Sequence, residues 1–177
     1  MFDNTPGIPP HQPAGNSYML LCSPPRLKPM NVSDVMTPNP TVILSTTTIA
    51  SALEVMRNLG CHHLPVLSAE KHLIGILSFH DCQRALSDPL KHNRPIVNEA
   101  LANMLPASSV MTAAPIIVEP NAPANEAARL MLEHFIGCLP VMRGETLVGI
   151  VTRSDLLMAF MQLSHRFGQI NNDIHQK

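Results

Sequence analysis

Two stretches of the chain follow one pattern, GILSFHD at 75–81 and GIVTRSD at 149–155. Each contains a glycine, two aliphatic residues, a hydroxyl residue and, three places later, an aspartate. This spacing is typical of a helix capping box, in which two side chains satisfy free backbone N–H groups. A strand that ends in a hydroxyl and turns into a helix also suits a phosphate, because the helix start offers N–H donors and a positive dipole end. The pattern alone leaves both interpretations open.

The two stretches belong to an internal repeat. A shift of 75 residues aligns ten identical residues, and after one deleted residue a shift of 74 aligns five more. In each copy a short β-branched segment precedes apolar residues at helical spacing, with Thr47 and Asn121 as expected N-caps. Two apolar runs separated by a polar turn follow, and then a second helix. We predict an α+β fold of two β-α-β-β-α units that pack on each other, because neither is large enough to be stable alone.

These patterns divide the chain into five segments. Residues 1–29 hold 7 of the 17 prolines and are predicted to form an extended tail. The first repeat should occupy 30–90 and the second 107–163, with a linker containing a short helix at 91–106 and a polar tail at 164–177.

Composition argues against several classes of function. The 12 Lys and Arg against 13 Asp and Glu leave no basic surface for nucleic acid, and with 3% aromatic residues a bound base should lie between aliphatic side chains. The four cysteines occur singly, which predicts reduced, buried thiols in a cytoplasmic protein. We expect neither a secretory signal nor a membrane span, because no basic segment followed by an apolar run begins the sequence and the apolar runs are short.

Spacing disfavours catalytic and metal sites. Soft and borderline metal ligands occur in the first repeat, namely Cys61, His62, His63, His72, His80 and Cys82. Their spacing is not that of a zinc finger, and neighbouring strand residues point opposite ways, so metal binding stays a weak alternative. Ser78, His80 and Asp81 crowd into one turn, too close for a line of nucleophile, base and orienting group. We therefore predict a protein that is not an enzyme and has no metal ligands.

The order of the motifs resembles a tandem pair of cystathionine-β-synthase (CBS) domains, the Bateman module. The resemblance rests on the VMTxxP segments at 35–40 and 110–115, the LPV turns and the two stretches quoted above, and it extends over residues 30–163. It implies a disc-like module in which the two repeats pack with pseudo-twofold symmetry and bind AMP, ADP, ATP or S-adenosylmethionine in clefts between them. Such modules are usually regulatory and often dimerise.

The resemblance also implies ligand contacts that cross between the repeats. Asp81 and Asp155 would accept hydrogen bonds from a ribose diol, while Ser78 and Thr152 would hold a phosphate. Cleft 1 would comprise Thr37, Pro40, Val42, Cys61, His62, Thr152, Arg153, Ser154 and Asp155. Cleft 2 would comprise Thr112, Pro115, Ile117, Ile136, Gly137, Ser78, His80 and Asp81. Because few further cations are evident for a triphosphate, AMP or ADP is favoured over ATP, and S-adenosylmethionine remains possible.

The helix expected at 156–163, LLMAFMQL, is apolar nearly all round, so something besides its own core should cover it. We predict a homodimer through this helix, with the segment YMLLC at 18–22 as the alternative cover. No effector domain is evident in the chain, so the module is expected to act in trans on a partner protein. The competing class is a scaffolding protein of the same fold with empty clefts.

Overall fold

The computed structural model describes residues 29–87 and 99–175. Residues 1–28 of the proline-rich tail, with the segment at 18–22, lie outside the described residues, as do residues 88–98 at the junction of the first repeat and the linker.

Both repeats contain the predicted β-α-β-β-α order, and the first has one further short strand at its start. The first consists of β1 (Thr37–Pro38), β2 (Ile43–Leu44), α1 (Ile49–Leu59), β3 (His63–Leu67), β4 (Leu73–Ser78) and α2 (Phe79–Leu86). After a short helix, α3 (Glu99–Met104), the second consists of β5 (Thr112–Ala113), α4 (Ala124–Glu133), β6 (Cys138–Arg143), β7 (Thr146–Thr152) and α5 (Arg153–His175). A single turn of 3-10 helix precedes each copy, at Val32–Asp34 and Ala107–Ser109. The predicted α+β class is confirmed.

Three helix ends differ from the prediction. The N-cap of α1 is Thr48, whose hydroxyl accepts the Ser51 N–H, while the Thr47 hydroxyl accepts the Leu44 N–H in the preceding turn. The N-cap of α4 is Pro123 rather than Asn121. Helix α5 runs to His175, beyond residue 163 where we expected the polar tail to start. Residues 164–175 contain no proline, so nothing in the backbone forces the helix to stop earlier.

Each repeat contributes its first strand to the sheet of the other. Strand β1 pairs antiparallel with β7, which places Thr37 opposite Ile150, and β5 pairs with β4, which places Thr112 opposite Ile76. The two sheets therefore have the orders β1-β7-β6 and β2-β3-β4-β5. This exchange interlocks the repeats and brings the first strand of one copy beside the strand-to-helix turn of the other.

The glycines that begin the two quoted stretches lie where the exchanged strands cross. A Cβ atom at Gly75 would overlap the sulfur of Met111 and come within 3.1 Å of the Thr112 carbonyl oxygen. At Gly149 it would overlap the sulfur of Met36 and come within 3.2 Å of a carbonyl oxygen of β1. The glycine in the pattern therefore permits the close approach of a strand from the other repeat.

The apolar interior follows the same exchange. One core packs α1 and α2 on β3 and β4, and Ala107 from the start of the second repeat belongs to it. The other lies among α4, β6 and β7, and includes Val32 from the start of the first repeat. Ile76, Cys138 and Ile150 form a small third cluster. Over the ranges described, every helix is too short or too polar to cross a bilayer.

Candidate ligand clefts between the repeats

Two clefts lie where each exchanged strand meets the start of a helix in the other repeat. Cleft 1 has a volume of about 540 Å³, and the N-terminal end of α5 opens into it. Cleft 2 has a volume of about 780 Å³ and receives the N-terminal end of α2. Both volumes fall in the range of about 300–1,000 Å³ that is usual for small-molecule sites.

The structure brings most of the expected site residues together. Eight of the nine residues expected in cleft 1 line it, the exception being Val42. Seven of the eight expected in cleft 2 line it, the exception being Ile117. Val42 instead lines a third cavity beside the two hairpin turns, and Ile117 is 49% exposed outside cleft 2.

Val42 and Ile117 lie outside the clefts for the same physical reason. Val42 and Ile117 are equivalent positions in the repeat, and the residues that line the clefts are their neighbours Thr41 and Ile116. Successive side chains of an extended backbone point to opposite sides, so a shift of one residue moves a side chain from the cleft to the other face.

Asp155 forms a complete capping box with Thr152. The Thr152 N–H and hydroxyl both donate to Asp155 Oδ2 at 2.7 Å, and the Asp155 N–H donates to Thr152 Oγ1 at 3.3 Å. The capping interpretation is thus confirmed at this position. Among the residues with described side chains, 29–87 and 100–165, no group donates to the second oxygen, Oδ1. One oxygen of Asp155 caps the helix, and the other is available to a ligand.

Asp81 uses its carboxylate differently. The Ser78 hydroxyl donates to Oδ2 at 2.5 Å and accepts the Asp81 N–H at 3.1 Å. The other oxygen, Oδ1, accepts from the Arg84 guanidinium at 2.9 Å. Arg84 is exposed, so solvent weakens this ion pair. Both oxygens of Asp81 are therefore engaged, and a ligand in cleft 2 must compete with Arg84 for Oδ1.

The two clefts meet at a junction formed by His62, His63, Gly137 and Arg153, which line both of them. A Cβ atom at Gly137 would come within 3.0 Å of His63 Nε2 and 3.2 Å of the Arg153 guanidinium, so only glycine leaves these groups in place. Burial lowers the pKa of His63, and electrostatic interactions with the neighbouring His62 and Arg153 lower it further, against a smaller opposing effect of Asp81. The imidazole of His63 is therefore neutral at physiological pH.

Three cysteines within the described ranges are free thiols. Cys82 and Cys138 are buried as expected, whereas Cys61 is only half-buried. Burial raises the pKa of Cys82 to about 11 and that of Cys138 to about 12, and it also raises the pKa of Cys61. All three are protonated at neutral pH, a state in which a thiol is a poor nucleophile and a poor metal ligand.

The short turn that holds Ser78, His80 and Asp81 is arranged for capping rather than for nucleophilic catalysis. The Ser78 hydroxyl donates its proton to the Asp81 carboxylate, so it is not hydrogen-bonded to the imidazole of His80 as a nucleophile would be to its general base. In the portion of the chain with described side chains, no three His, Cys, Asp or Glu residues converge as metal ligands.

Cleft 2 contains residues that our sequence reasoning missed. Phe79, Arg84, His134 and Phe135 all line it. Two phenylalanines line this cleft, so its apolar lining is not purely aliphatic as we expected. The ring of Phe79 also contacts that of His62 edge to face, with centroids 5.8 Å apart. The repeat alignment offered a signal for the other phenylalanine, because Phe135 stands opposite Gly60.

Comparison with known proteins agrees with this architecture. The CBS domain family matches residues 32–88 and 107–162. A CBS domain-containing protein of Dictyostelium discoideum is 37% identical over 113 residues, which are 63% of this chain and 77% of that protein. The chain spans only 32% and 25% of the length of two other curated relatives.

Two solved structures share the fold over nearly their whole length. A Vibrio cholerae protein named for acetoin utilization, AcuB, is 33% identical with a TM-score of 0.66, and the match covers 80% of this chain and 98% of that one. CBSX2 of Arabidopsis thaliana, solved in complex with AMP, is 28% identical with a TM-score of 0.61, and the match covers 76% and 98%. Since the family matches both repeats, the resemblance inferred from the motifs is confirmed, and the chain belongs to the CBS domain family as a tandem pair of CBS domains.

Proposed function

We propose that this chain is a regulatory module that binds an adenine nucleotide, AMP or ADP, in the clefts between its two CBS domains. The observation that carries the proposal is the crossed geometry of each cleft, in which an aspartate in the first turn of a helix faces the first strand of the other repeat. CBSX2, a relative of the same fold, was solved with AMP. ATP and S-adenosylmethionine carry the same adenosine and are the alternatives.

Cleft 1 offers the simpler binding mode. Asp155 Oδ1 would accept from a ribose hydroxyl while Oδ2 continues to cap α5. Arg153, in the first turn of α5, would contact the phosphate, and the positive end of the helix dipole would add to the attraction. The apolar side chain of Leu59, at the end of α1, is 56% exposed and would cover the base.

Cleft 2 would bind with a rearrangement. A ribose hydroxyl that approaches Asp81 Oδ1 replaces the exposed Arg84, whose released guanidinium is then free to contact phosphate. Breaking that contact offsets part of the gain, so we expect cleft 2 to bind a monophosphate more weakly than cleft 1. The side chains of His80 and His134 add donors for a second phosphate, which favours ADP over AMP in this cleft.

Helix α5 connects cleft 1 to the molecular surface. It begins in the cleft, and one to two turns later four apolar side chains, Leu157, Met158, Phe160 and Met161, are each 59–66% exposed. We infer that this face pairs with a second copy of the chain and that ligand in cleft 1 alters it, so that regulation reaches a partner protein in trans. Hydrogen exchange tests the link: AMP should slow amide exchange in residues 153–163, and unchanged exchange there would contradict it.

The cell compartment and the absence of catalysis belong to the same proposal. Free, protonated thiols support a reducing compartment, the cytoplasm. The aspartates and hydroxyls of the clefts serve helix caps, which supports a binding protein rather than an enzyme.

A thermal-shift panel tests the proposed ligand class. A ligand at about 100 times its dissociation constant stabilises the folded state by about 2.7 kcal/mol, or about 5–11 °C in melting temperature for a chain of this size. AMP and ADP should give such shifts, while GMP and inorganic phosphate should not. If no adenosyl compound shifts the transition, the scaffolding alternative with empty clefts is the better account.

A further inference from the structure

Phe135 occupies a backbone position that suits glycine. It follows α4, and its φ of +55° lies in the left-handed region, where a bulky side chain is unfavourable. The repeat alignment places it opposite Gly60, which follows α1 with a φ of +63°. The first repeat thus has the residue that this conformation favours, and the second has an aromatic residue at a conformational cost.

Packing within the described residues does not compensate for that cost. The Phe135 side chain is 92% exposed, so almost none of its apolar surface is buried. At Gly60 no atom lies within 4 Å of where a Cβ atom would be, so the position excludes no side chain sterically. Residues held in unfavourable backbone conformations cluster at ligand clamps, where the bound state supplies the compensation.

The surroundings indicate what Phe135 would contact. It lines cleft 2 together with Phe79 and next to Ile136, and the proposed ribose acceptor Asp81 lies in the same cleft. A second non-glycine residue in the left-handed region, Ala114, lines this cleft as well. An exposed ring at the edge of a cleft sized for a small molecule can stack on a flat aromatic base, as aromatic side chains do in nucleotide sites.

We propose that Phe135 is a lid side chain that stacks on the base of the ligand in cleft 2 and makes this cleft selective for a nucleotide over a sugar phosphate that has no base. The inference rests on the proposed function of the cleft and assigns a residue that gives cleft 2 a different base contact from cleft 1. In cleft 1 the equivalent Gly60 offers no ring, and Leu59 is the exposed apolar side chain beside it.

The alternative partner for the ring of Phe135 is a second copy of the chain. Leu132, three residues earlier on α4, is 73% exposed, so the two side chains together could pack against another copy of the chain. We favour the ligand because Phe135 lines cleft 2 whereas Leu132 lines neither cleft. Self-association enters the experiment as a separate readout.

The first test compares stability with ligand affinity in an Asp155→Ala background, in which nucleotide binding to cleft 1 is weakened. Phe135→Gly should raise the melting temperature of the free protein by about 2–4 °C, because it removes the strained conformation. The same change should weaken ADP binding about 5- to 140-fold, the range that loss of one base stack corresponds to. Phe135→Tyr keeps a ring and should keep the affinity. Opposite signs for stability and affinity are the signature of a ligand clamp.

The second test uses fluorescence. The chain contains no tryptophan, so Phe135→Trp introduces a single indole reporter at the proposed stacking position. ADP should quench its emission along the same saturation curve that calorimetry gives, while 5-phosphoribosyl pyrophosphate, which lacks a base, should not. Leu132→Trp, in the last turn of α4 just before Phe135 but outside the clefts, is the matched control and should not respond.

The outcomes separate this inference from the proposed function. If the wild-type chain binds no adenosyl compound, the proposed function itself fails. If it binds ADP while Phe135→Gly binds equally well and Phe135→Trp is not quenched, the function stands and the role of Phe135 is overturned. If Phe135→Gly lowers self-association in sedimentation without changing affinity, the ring belongs to a subunit contact and the inference is likewise overturned.

Discussion

The carboxylates of Asp81 and Asp155 differ in how much of their hydrogen-bonding capacity the folded chain already uses. At Asp155 one oxygen takes both donors from Thr152, and within the described chain the other takes none. At Asp81 Ser78 and Arg84 engage one oxygen each. Helix capping and ligand binding, the two interpretations of the repeated pattern, are therefore compatible, because a carboxylate has two oxygens and the cap needs only one.

Asp155→Ala should cost about 0.5–2 kcal/mol of stability, because the cap is lost. It should also weaken AMP binding about 10- to 150-fold, the equivalent of one charge-assisted hydrogen bond. Asp155→Asn keeps an oxygen for the cap and should recover more of the stability than of the affinity. Asp81→Ala should affect AMP affinity less, since a ligand must already compete with Arg84 for that carboxylate. Denaturant unfolding and calorimetry measure the two quantities. An Asp155→Ala protein that is less stable but binds normally would leave capping as the only role.

His63 should make stability depend on pH. Its folded-state pKa is lowered, chiefly by burial, so the unfolded chain binds this proton more readily than the folded one. Stability should therefore fall as pH drops below the ordinary histidine pKa of about 6.5 and should not depend on this group above it. His63→Gln should flatten the profile of unfolding free energy between pH 7 and pH 5. An equally steep profile in the variant would exclude His63 as the cause.

The exchanged strands β1 and β5 show which features of the molecule could be predicted from the sequence and which could not. Element order followed from the repeat, because apolar periodicity and the recurring glycine, hydroxyl and aspartate pattern are local. The clefts followed from the family resemblance, since the pairing of β1 with β7 joins residues more than 100 positions apart. Side-chain direction in the extended segments did not follow, which is why Val42 and Ile117 were misplaced by one residue. The exposure of Phe135 and its backbone conformation are not visible in a pattern of residue types.

The strand crossing at Gly149 should be sensitive to a single methyl group. Gly149→Ala forces the Met36 side chain and β1 to move, and overpacking of this kind costs about 1–3 kcal/mol. Gly75→Ala should behave alike through Met111. In a Met36→Ala background the additional cost of Gly149→Ala should shrink, because the overlapping sulfur is gone. If the effects of Met36→Ala and Gly149→Ala on the free energy of unfolding in urea are additive, the contact between these two residues is not the source of the cost.

The exposed face of α5 should mediate the homodimer. Replacing Phe160 and Met161 together by Glu places two charges in an apolar contact and should yield monomers in sedimentation velocity at micromolar concentration. Leu163 is half-buried, so a charge there would disturb the protomer itself as well as a contact between subunits, whereas Met161 is exposed. Gln162→Glu, a polar neighbour on the same helix, is the matched control and should leave the dimer intact. A wild-type chain that sediments only as monomer would remove this part of the proposal.

The molecule as a whole is one interlocked pair of repeats whose two clefts share a wall. His62, His63, Gly137 and Arg153 face both clefts, so a ligand phosphate held by Arg153 in one cleft changes the charge available to the other. Helix α5 carries the same residue in its first turn and an apolar face farther along. In the proposed function, ligand in cleft 1, ligand in cleft 2 and a second subunit would therefore influence one another through residues 153–161 at the start of α5.

The central claim is that the crossed clefts bind adenine nucleotide, and calorimetric titration of the wild-type chain and Asp155→Ala with AMP tests it most directly. We predict saturable binding to the wild type, with at most two sites per chain, and a loss of about 10- to 150-fold in affinity at the stronger site in Asp155→Ala. Titrations with ADP, ATP and S-adenosylmethionine rank the ligands. Absence of saturable binding of all four compounds to the folded wild-type protein would contradict the account.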